Sequence, residues 1–254
     1  MGTQRFGGKV VFVTGGGSGI GRATATLFAE EGAKVFAVDV DRDGLHETLA
    51  GIETAGGTAK GQPCDVADMA SVQAAVDAAV AAFGGLDVLC NVAGIGGFKR
   101  FEEWSEDEWS RTFAVNVTGM FNAVRAALPH LLGEPPGCVV NVGSTASLRG
   151  TAYAVPYAAS KAAVLSLTRS LALEFATRDL RFNCVCPGGV RTPLGRHFLR
   201  RPDFEMHLIE YNAPPKYSNF ADPIDIARII AFLASDDARM INGAALTADG
   251  GTLA

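Results

Sequence analysis

Short apolar runs recur along the chain, each followed by a stretch in which apolar residues return at helical spacing. KVVFVT (9–14) is continuous and apolar, as expected of a strand covered on both faces. AKVFAVD (33–39), TAKGQPCD (58–65), LDVLCN (86–91), GCVVNVG (137–143) and LRFNCVCP (180–187) read the same way, and GAALTA (243–248) is a weaker seventh. Helical spacing occupies the intervals near 19–31, 42–55, 68–83, 106–132, 156–177 and 222–235. Ser105 with Glu108 makes a capping box, and Asp222 places a capping residue ahead of Pro223 at the first helical position. Strand and helix alternate over short links. This predicts a single α/β domain, a doubly wound parallel sheet of about seven strands with helices on both faces. With 254 residues, 48% of them hydrophobic, the chain can build one large core.

The interval from Arg191 to Ala221 breaks the rhythm. Connections beyond ~12–15 residues in compact domains usually cover a site, bind a ligand or are disordered. Phe198, Leu199, Phe204, Met206, Leu208, Ile209 and Tyr211 make this one too apolar for a solvated linker. Residues 191–221 are read as an inserted substrate-binding lid over an apolar substrate. A surface helical pair or part of a subunit interface is the competing reading.

Net charge is −5, from 22 basic and 27 acidic side chains, without a basic block, which speaks against nucleic acid and anionic membrane partners. No apolar run approaches the ~20 residues of a membrane span. The start, MGTQRFGGKVVFVTGG, lacks the form of a signal peptide, so a cytoplasmic location is expected. The five dispersed cysteines (Cys64, Cys90, Cys138, Cys184 and Cys186) argue against a disulfide framework. Cys184 and Cys186 share one face of a strand, but no further ligand stands at metal spacing. His46, His130, His197 and His207 form no ligand motif either, and no metal is expected.

VFVTGGGSGIGRA leaves the first strand and opens the first helix, with Gly15, Gly19 and Gly21 spaced G-x-x-x-G-x-G. Missing side chains let a backbone approach a pyrophosphate, and a helix N-terminus offers unpaired N–H groups at its positive end. The second strand ends at Asp39, 20 residues after Gly19. A carboxylate there accepts hydrogen bonds from adenosine ribose hydroxyls and repels a 2′-phosphate. Ser18 stands where a phosphate-reading arginine could have been. Arg42 lies near enough to complicate the preference, and Asp39 could instead cap the next helix. The expected cofactor is NAD rather than NADP.

Together with STASLRGTAYAVPYAASK (144–161), these motifs resemble the short-chain dehydrogenase/reductase family over essentially the whole chain. The resemblance implies one Rossmann-type domain over 1–254. It implies cofactor contacts from Gly15, Ser18, Gly19, Ile20 and Gly21 in TGGGSGIG (14–21), and from Asp65 and Val66 in CDV (64–66), whose aspartate meets the adenine. NVAG (91–94) is similar to the family's N-N-A-G and would contribute Asn91, Ala93 and Gly94. PGGVRT (187–192) would contribute Pro187, Gly188, Val190 and Thr192, the threonine contacting the nicotinamide carboxamide. Ser144, Tyr157 and Lys161 match the catalytic serine and the Y-x-x-x-K pair, with Tyr157 and Lys161 also touching the cofactor. Asn116 in AVNVTG matches the helix asparagine of the proton relay. Two positions depart from the pattern. Val92 replaces the second asparagine of N-N-A-G, which puts a hydrogen bond near the cofactor in question, and Gly143 replaces a frequent serine. A homotetramer is implied by the resemblance alone.

The residues themselves carry the chemistry. Hydride transfer at an alcohol carbon needs a partner that moves the hydroxyl proton. A tyrosine titrates ordinarily near ~10, and bringing it to ~7 takes ~4 kcal/mol of preferential stabilisation of the phenolate. Lys161 follows Tyr157 at i+4, which puts an ammonium on the same helical face. Pro156 marks the helix start, so Tyr153 falls in the preceding loop, where it lines the pocket or packs the loop. Ser144 follows a strand at the carboxyl edge of the sheet, where its hydroxyl can meet a substrate oxygen. Ser147 and Ser160 read as structural. Asn116 either holds a water leading from Lys161 to solvent or satisfies helix backbone.

The expected activity is NAD-dependent interconversion of a secondary alcohol and a ketone, with Tyr157 as general acid/base. A 3-oxoacyl-thioester (acyl-carrier-protein) reductase is the alternative within the family; Asp39 counts against it, because such reductases commonly use NADPH. A catalytically silent nucleotide-binding regulatory protein would have no need of the Ser144–Tyr157–Lys161 set. Phe98, Trp104 and the apolar lid lean toward a hydrophobic or cyclic alcohol. Arg149, Arg196, Arg200 and Arg201 either meet an anionic group or face water.

Overall fold

In the computed structural model, which describes residues 4–210 and 220–254, the apolar runs become strands. They are β1 (Val10–Thr14), β2 (Lys34–Asp39), β3 (Thr58–Pro63), β4 (Val88–Asn91), β5 (Cys138–Val142), β6 (Arg181–Pro187) and β7 (Ala245–Ala248). Among the described residues these form one parallel sheet of seven strands in the order β3-β2-β1-β4-β5-β6-β7. The helices are α1 (Gly19–Glu30), α2 (Arg42–Thr54), α3 (Met69–Phe83), α4 (Glu106–Phe113), α5 (Gly119–Leu131), α6 (Val155–Glu174), α7 (Met206–Glu210) and α8 (Pro223–Ala234).

Side chains on β1 alternate between two helical layers. Val11 and Val13 pack with Phe28 of α1 and Ile230 of α8, whereas Phe12 packs in the opposite layer with Val76 of α3 and Ala127 of α5. Both faces are covered, so the run is apolar throughout, and each such side chain contributes about 1.5–3 kcal/mol when fully buried. The chain runs outward from β1 to β3 and then returns to β4 on the other side. Where the order reverses, the loops leaving the carboxyl ends part and open a crevice.

Two intervals differ from the sequence reading. The stretch 106–132 is α4, a π-turn over Ala114–Thr118, and α5 rather than one regular helix. Its start is as expected: the Glu108 N–H donates to Ser105 Oγ at 3.2 Å, and the Ser105 N–H donates to Glu108 Oε2 at 3.1 Å. The interval 191–221 carries a 3-10 turn over Pro193–His197 and the short α7. Phe204 and Ile209 are buried there while Leu199 and Leu208 are exposed. Tyr211, with the rest of 211–219, lies outside the described residues. No helix among the described residues is long and apolar enough to cross a membrane.

Candidate active site

A groove of about 830 Å³ follows the carboxyl edge of the sheet. Its lining includes Gly15, Ser18, Gly19, Ile20, Gly21, Asp39, Asp65, Val66, Ala93, Gly94, Pro187, Gly188, Val190 and Thr192, together with Ser144, Tyr157 and Lys161. The turn after β1 is shaped for close approach. Gly15 has φ +71°, and a Cβ on Gly21 would lie 1.9 Å from the Gly15 carbonyl oxygen. Ser18 precedes α1 without a side-chain capping bond, so the helix N-terminus meets the groove unblocked.

Asp39 is fixed by backbone. Its Oδ2 accepts the Gly17 N–H at 2.8 Å and its Oδ1 the Asp41 N–H at 2.9 Å. It does not cap α2; Asp41 does, accepting the Gly44 N–H at 3.2 Å. Each carboxylate oxygen keeps a lone pair for a ribose hydroxyl. Arg22 is turned back onto the carbonyls of Gly17 and Gly44 and onto Glu47. Arg42 is exposed at the start of α2. This glycine cradle, with a fixed carboxylate at its far end, fits a dinucleotide. Arg111, which the sequence reading missed, pairs with Asp65 at 3.3 Å and also lines the groove.

Tyr157 and Lys161 lie on α6 with the Lys161 Nζ 5.8 Å from the phenol ring centre, on one face as expected. The ammonium donates to the Val142 carbonyl at 2.8 Å. Ser144, at the end of β5, lies beside the phenol in the groove wall and accepts the Ala146 N–H at 3.1 Å. Ser147 ties this loop to α6, accepting the Ser144 N–H at 3.1 Å and donating to the Lys161 carbonyl at 2.8 Å. The electrostatics correct one expectation. Burial pushes the phenol up, Ser144 pulls it back, and Cys186 adds to the rise. Burial brings Lys161 down to about 8, with Cys184 and Cys186 acting the other way. In the chain by itself, desolvation outweighs the pull of Ser144, and the phenol is held above its ordinary value rather than below it.

The two departures have local causes. At Val92 the bond near the groove is made by backbone instead: the N–H groups of Val92 and Ala93 donate to Thr14 Oγ1 at 3.0 and 3.2 Å. The Val92 side chain packs against the core. At Gly143 a Cβ would meet Cys184 Sγ at 2.8 Å and Ser147 Oγ at 2.9 Å. The sulfurs of Cys184 and Cys186, 3.8 Å apart on one face of β6, occupy the space a serine would need.

Two expected residues lie behind the groove wall, Asn116 beside Lys161. Asn91 does not line the groove; its Nδ2 donates to Asn141 Oδ1 at 2.9 Å, in the layer beneath. Asn116 sits in the π-turn, accepting the Ile95 N–H at 2.8 Å and donating to the Ile95 carbonyl at 2.9 Å and to Ser160 Oγ at 2.8 Å. Its amide serves backbone and Ser160, the competing reading of that residue.

Aromatic rings close the substrate end. Phe198 meets Tyr157 edge-on at 5.2 Å, and Phe98 meets Phe198 at 5.0 Å. Tyr153 stacks on Phe204 at 4.1 Å, and its hydroxyl accepts the Glu205 N–H at 2.8 Å, so it holds the 191–221 segment rather than lining the pocket. A Cβ on Gly96 would lie 2.4 Å from the Tyr157 ring, so Gly96 admits the phenol; the glycines of IGG after NVAG were the available signal. Trp104 is not in the groove wall. Arg201 clamps Glu103 and Asp203, and Arg149 reaches the Thr252 carbonyl, while Arg196 and Arg200 line the groove.

Known proteins share this arrangement. The family model described as Enoyl-(Acyl carrier protein) reductase matches residues 15–252. The 2,5-dichloro-2,5-cyclohexadiene-1,4-diol dehydrogenase LinX of Sphingobium indicum is 42% identical over 248 residues, covering 98% of this chain and 97% of its own. D-threitol dehydrogenase of Mycolicibacterium smegmatis is 41% identical, across 97% of this chain and 94% of its own. The crystal structure of levodione reductase matches with a TM-score of 0.91 at 36% identity, over 98% of this chain and 100% of its own. A short-chain dehydrogenase from Mycobacterium paratuberculosis bound to NAD is 30% identical with a TM-score of 0.91, over 98% of each chain. One from Burkholderia cenocepacia J2315 in complex with NADP is 34% identical with a TM-score of 0.88, over 98% of this chain and 100% of its own. Fold and site thus define an oxidoreductase that acts on a CH–OH group with a nicotinamide dinucleotide. The chain belongs to the short-chain dehydrogenase/reductase family.

Proposed function

We propose that this enzyme interconverts a hydrophobic, cyclic secondary alcohol and its ketone, with NAD as its cofactor. The observation that carries the reading is Ser144, Tyr157 and Lys161 gathered in the wall of one groove, with the Lys161 ammonium 5.8 Å from the phenol ring centre and Asp39 at the groove's other end. Bound between the glycine turn, Asp39 and the 187–192 loop, NAD would supply the hydride acceptor and a positive charge. Tyr157 takes the proton from the alcohol hydroxyl, or returns it when a ketone is reduced. Ser144 orients the substrate oxygen, and Lys161 holds positive charge beside the phenol. Phe98 and Phe198 exclude water from one side of the phenol.

Asp39 supports NAD over NADP, since a fixed carboxylate repels a 2′-phosphate and Arg22 is engaged elsewhere. The ring walls and the cyclic diol in the name of the LinX relative support a cyclic substrate. A homotetramer in the cytoplasm completes the proposal, by family resemblance. The test follows NADH absorbance with cyclic and acyclic secondary alcohols and, as a contrasting arm, a 3-oxoacyl thioester with NADPH. Turnover of cyclic alcohols with NAD is expected. Tyr157→Phe should lower it by ~10²-fold or more with cofactor affinity retained; near-normal turnover in that variant would refute the assignment of Tyr157.

A further inference from the structure

Beneath the groove, on the inner side of Lys161, lies a recess of about 10 Å³, the room of a single water molecule. Thr14, Asn91, Asn116 and Lys161 bring polar groups to its wall. The Asn116 amide is engaged with Ile95 and Ser160, as described. Asn91 differs: it is 7% exposed, and its Oδ1 is buried without a hydrogen-bond partner. An orphaned buried amide oxygen loses its hydration without recompense, so such atoms are normally satisfied by protein or by ordered water.

The orientation of that amide follows from its neighbours. Thr168, on α6, donates its only hydroxyl proton to the Val164 carbonyl at 2.8 Å. It therefore accepts from Asn141 Nδ2, 2.9 Å away. The Asn141 oxygen is then left to accept from Asn91 Nδ2, also at 2.9 Å, and this turns Asn91 Oδ1 away from Asn141. Reversing both amides would leave the single Thr168 hydroxyl proton between two acceptors, Asn141 Oδ1 and the Val164 carbonyl. Thr14 Oγ1 accepts two N–H groups, and its own proton is not used in any described bond.

We propose that the recess seats one ordered water that donates to Asn91 Oδ1 and accepts from Lys161 Nζ and Thr14 Oγ1, and that Thr168 and Asn141 are positioning residues that aim Asn91 at it. Three hydrogen bonds are what a buried water typically makes. The inference rests on the reading of Tyr157 and Lys161 as the proton-handling pair. Through this water the uncharged Asn91 oxygen favours the charged form of Lys161. Among the described residues, the titratable groups that face Lys161 are Tyr157 on its own helix, 5.8 Å from ring centre to Nζ, and Cys184 and Cys186 on β6; β4, β5 and the π-turn add amide and carbonyl dipoles.

A high-resolution crystal structure of the full-length wild type should show a water within hydrogen-bonding distance of Asn91 Oδ1 and Lys161 Nζ. In Asn91→Leu the alkaline limb of the kcat/KM profile for alcohol oxidation should move down by about half a unit to one unit. Thr168→Val, which touches neither recess nor lysine, should move it the same way by less, and Thr168→Ser should restore it. Should Asn91→Leu fail to fold, Thr168→Val decides. A dry recess, or a Thr168→Val profile superimposed on the wild type, overturns the proposal. The water density is read without activity, so it stands apart from any failure of the Tyr157 assignment.

Discussion

At one end of the groove, Gly15 and Asp39 lie at the ends of adjacent strands and Gly21 in the first turn of α1, all positioned by backbone geometry and N–H bonds. At the other, Phe98 meets Phe198 and Phe204, from a segment far along the chain, chiefly through rings, with one main-chain bond from the Phe98 N–H to the His197 carbonyl at 3.3 Å. The outer fastenings there, Arg201 with Glu103 and Asp203, and Arg100 with Asp203, are exposed ion pairs, a kind that contributes little. The first end has no slack, because its contacts are with main chain that the sheet holds in register. The second can adjust ring by ring. Substitution should therefore act nearly all-or-none at the dinucleotide end and by degrees at the substrate end.

The largest effect is expected from Gly21→Val, since even a Cβ would lie 1.9 Å from the Gly15 oxygen. Dinucleotide affinity, read by fluorescence titration on protein verified as folded, should fall by ~10²-fold or more, on the order of 3 kcal/mol. An unchanged affinity would break the contrast at its stronger end.

Lys161→Met probes the place where the two ends meet. The folded value of about 8 lies below the ordinary 10.5, so a buried ammonium penalises the fold below pH 8, and the penalty fades as pH rises from 8 to 10.5. Denaturant titration should find the variant more stable than the wild type, by up to about 2–3 kcal/mol below pH 8, with the gain shrinking toward pH 10.5. A gain that grows with pH has the wrong sign and would refute this account.

Asp39→Ala should weaken NAD by about 10-fold and raise the NADP-to-NAD ratio of kcat/KM, by loss of one or two hydrogen bonds. An unmoved ratio would show that another residue reads the ribose. Smallest is Phe198→Ala, which removes one edge-on ring contact of about 0.5–1.5 kcal/mol. KM for a cyclic alcohol should rise by about 3–10-fold while NAD affinity stays put. If NAD affinity fell equally, the two ends would not be separable.

Legibility in the sequence follows the same division. Strand positions were readable because burial on both faces leaves continuous apolar runs, and Ser105 with Glu108 capped α4 as their spacing implied. The π-turn around Asn116 was not readable, because an inserted residue barely disturbs an averaged helical period. Asn91 was assigned to the groove from its motif, yet its amide is turned into the layer below by Asn141 on the neighbouring strand. Tyr153 was left between pocket and packing, and only Phe204 and Glu205 decide for packing.

By itself the sequence determined the sheet, the glycine cradle, Asp39 and the pairing of Tyr157 with Lys161. These depend on contacts within a turn of helix or on neighbouring strand ends, where spacing dictates geometry. Only the tertiary structure decided the orientation of Asn91, the ring wall around Phe198, and the direction in which burial moves Tyr157 and Lys161. Those depend on which distant groups fill the space around a side chain and how much water they exclude, and spacing along a chain carries no record of that.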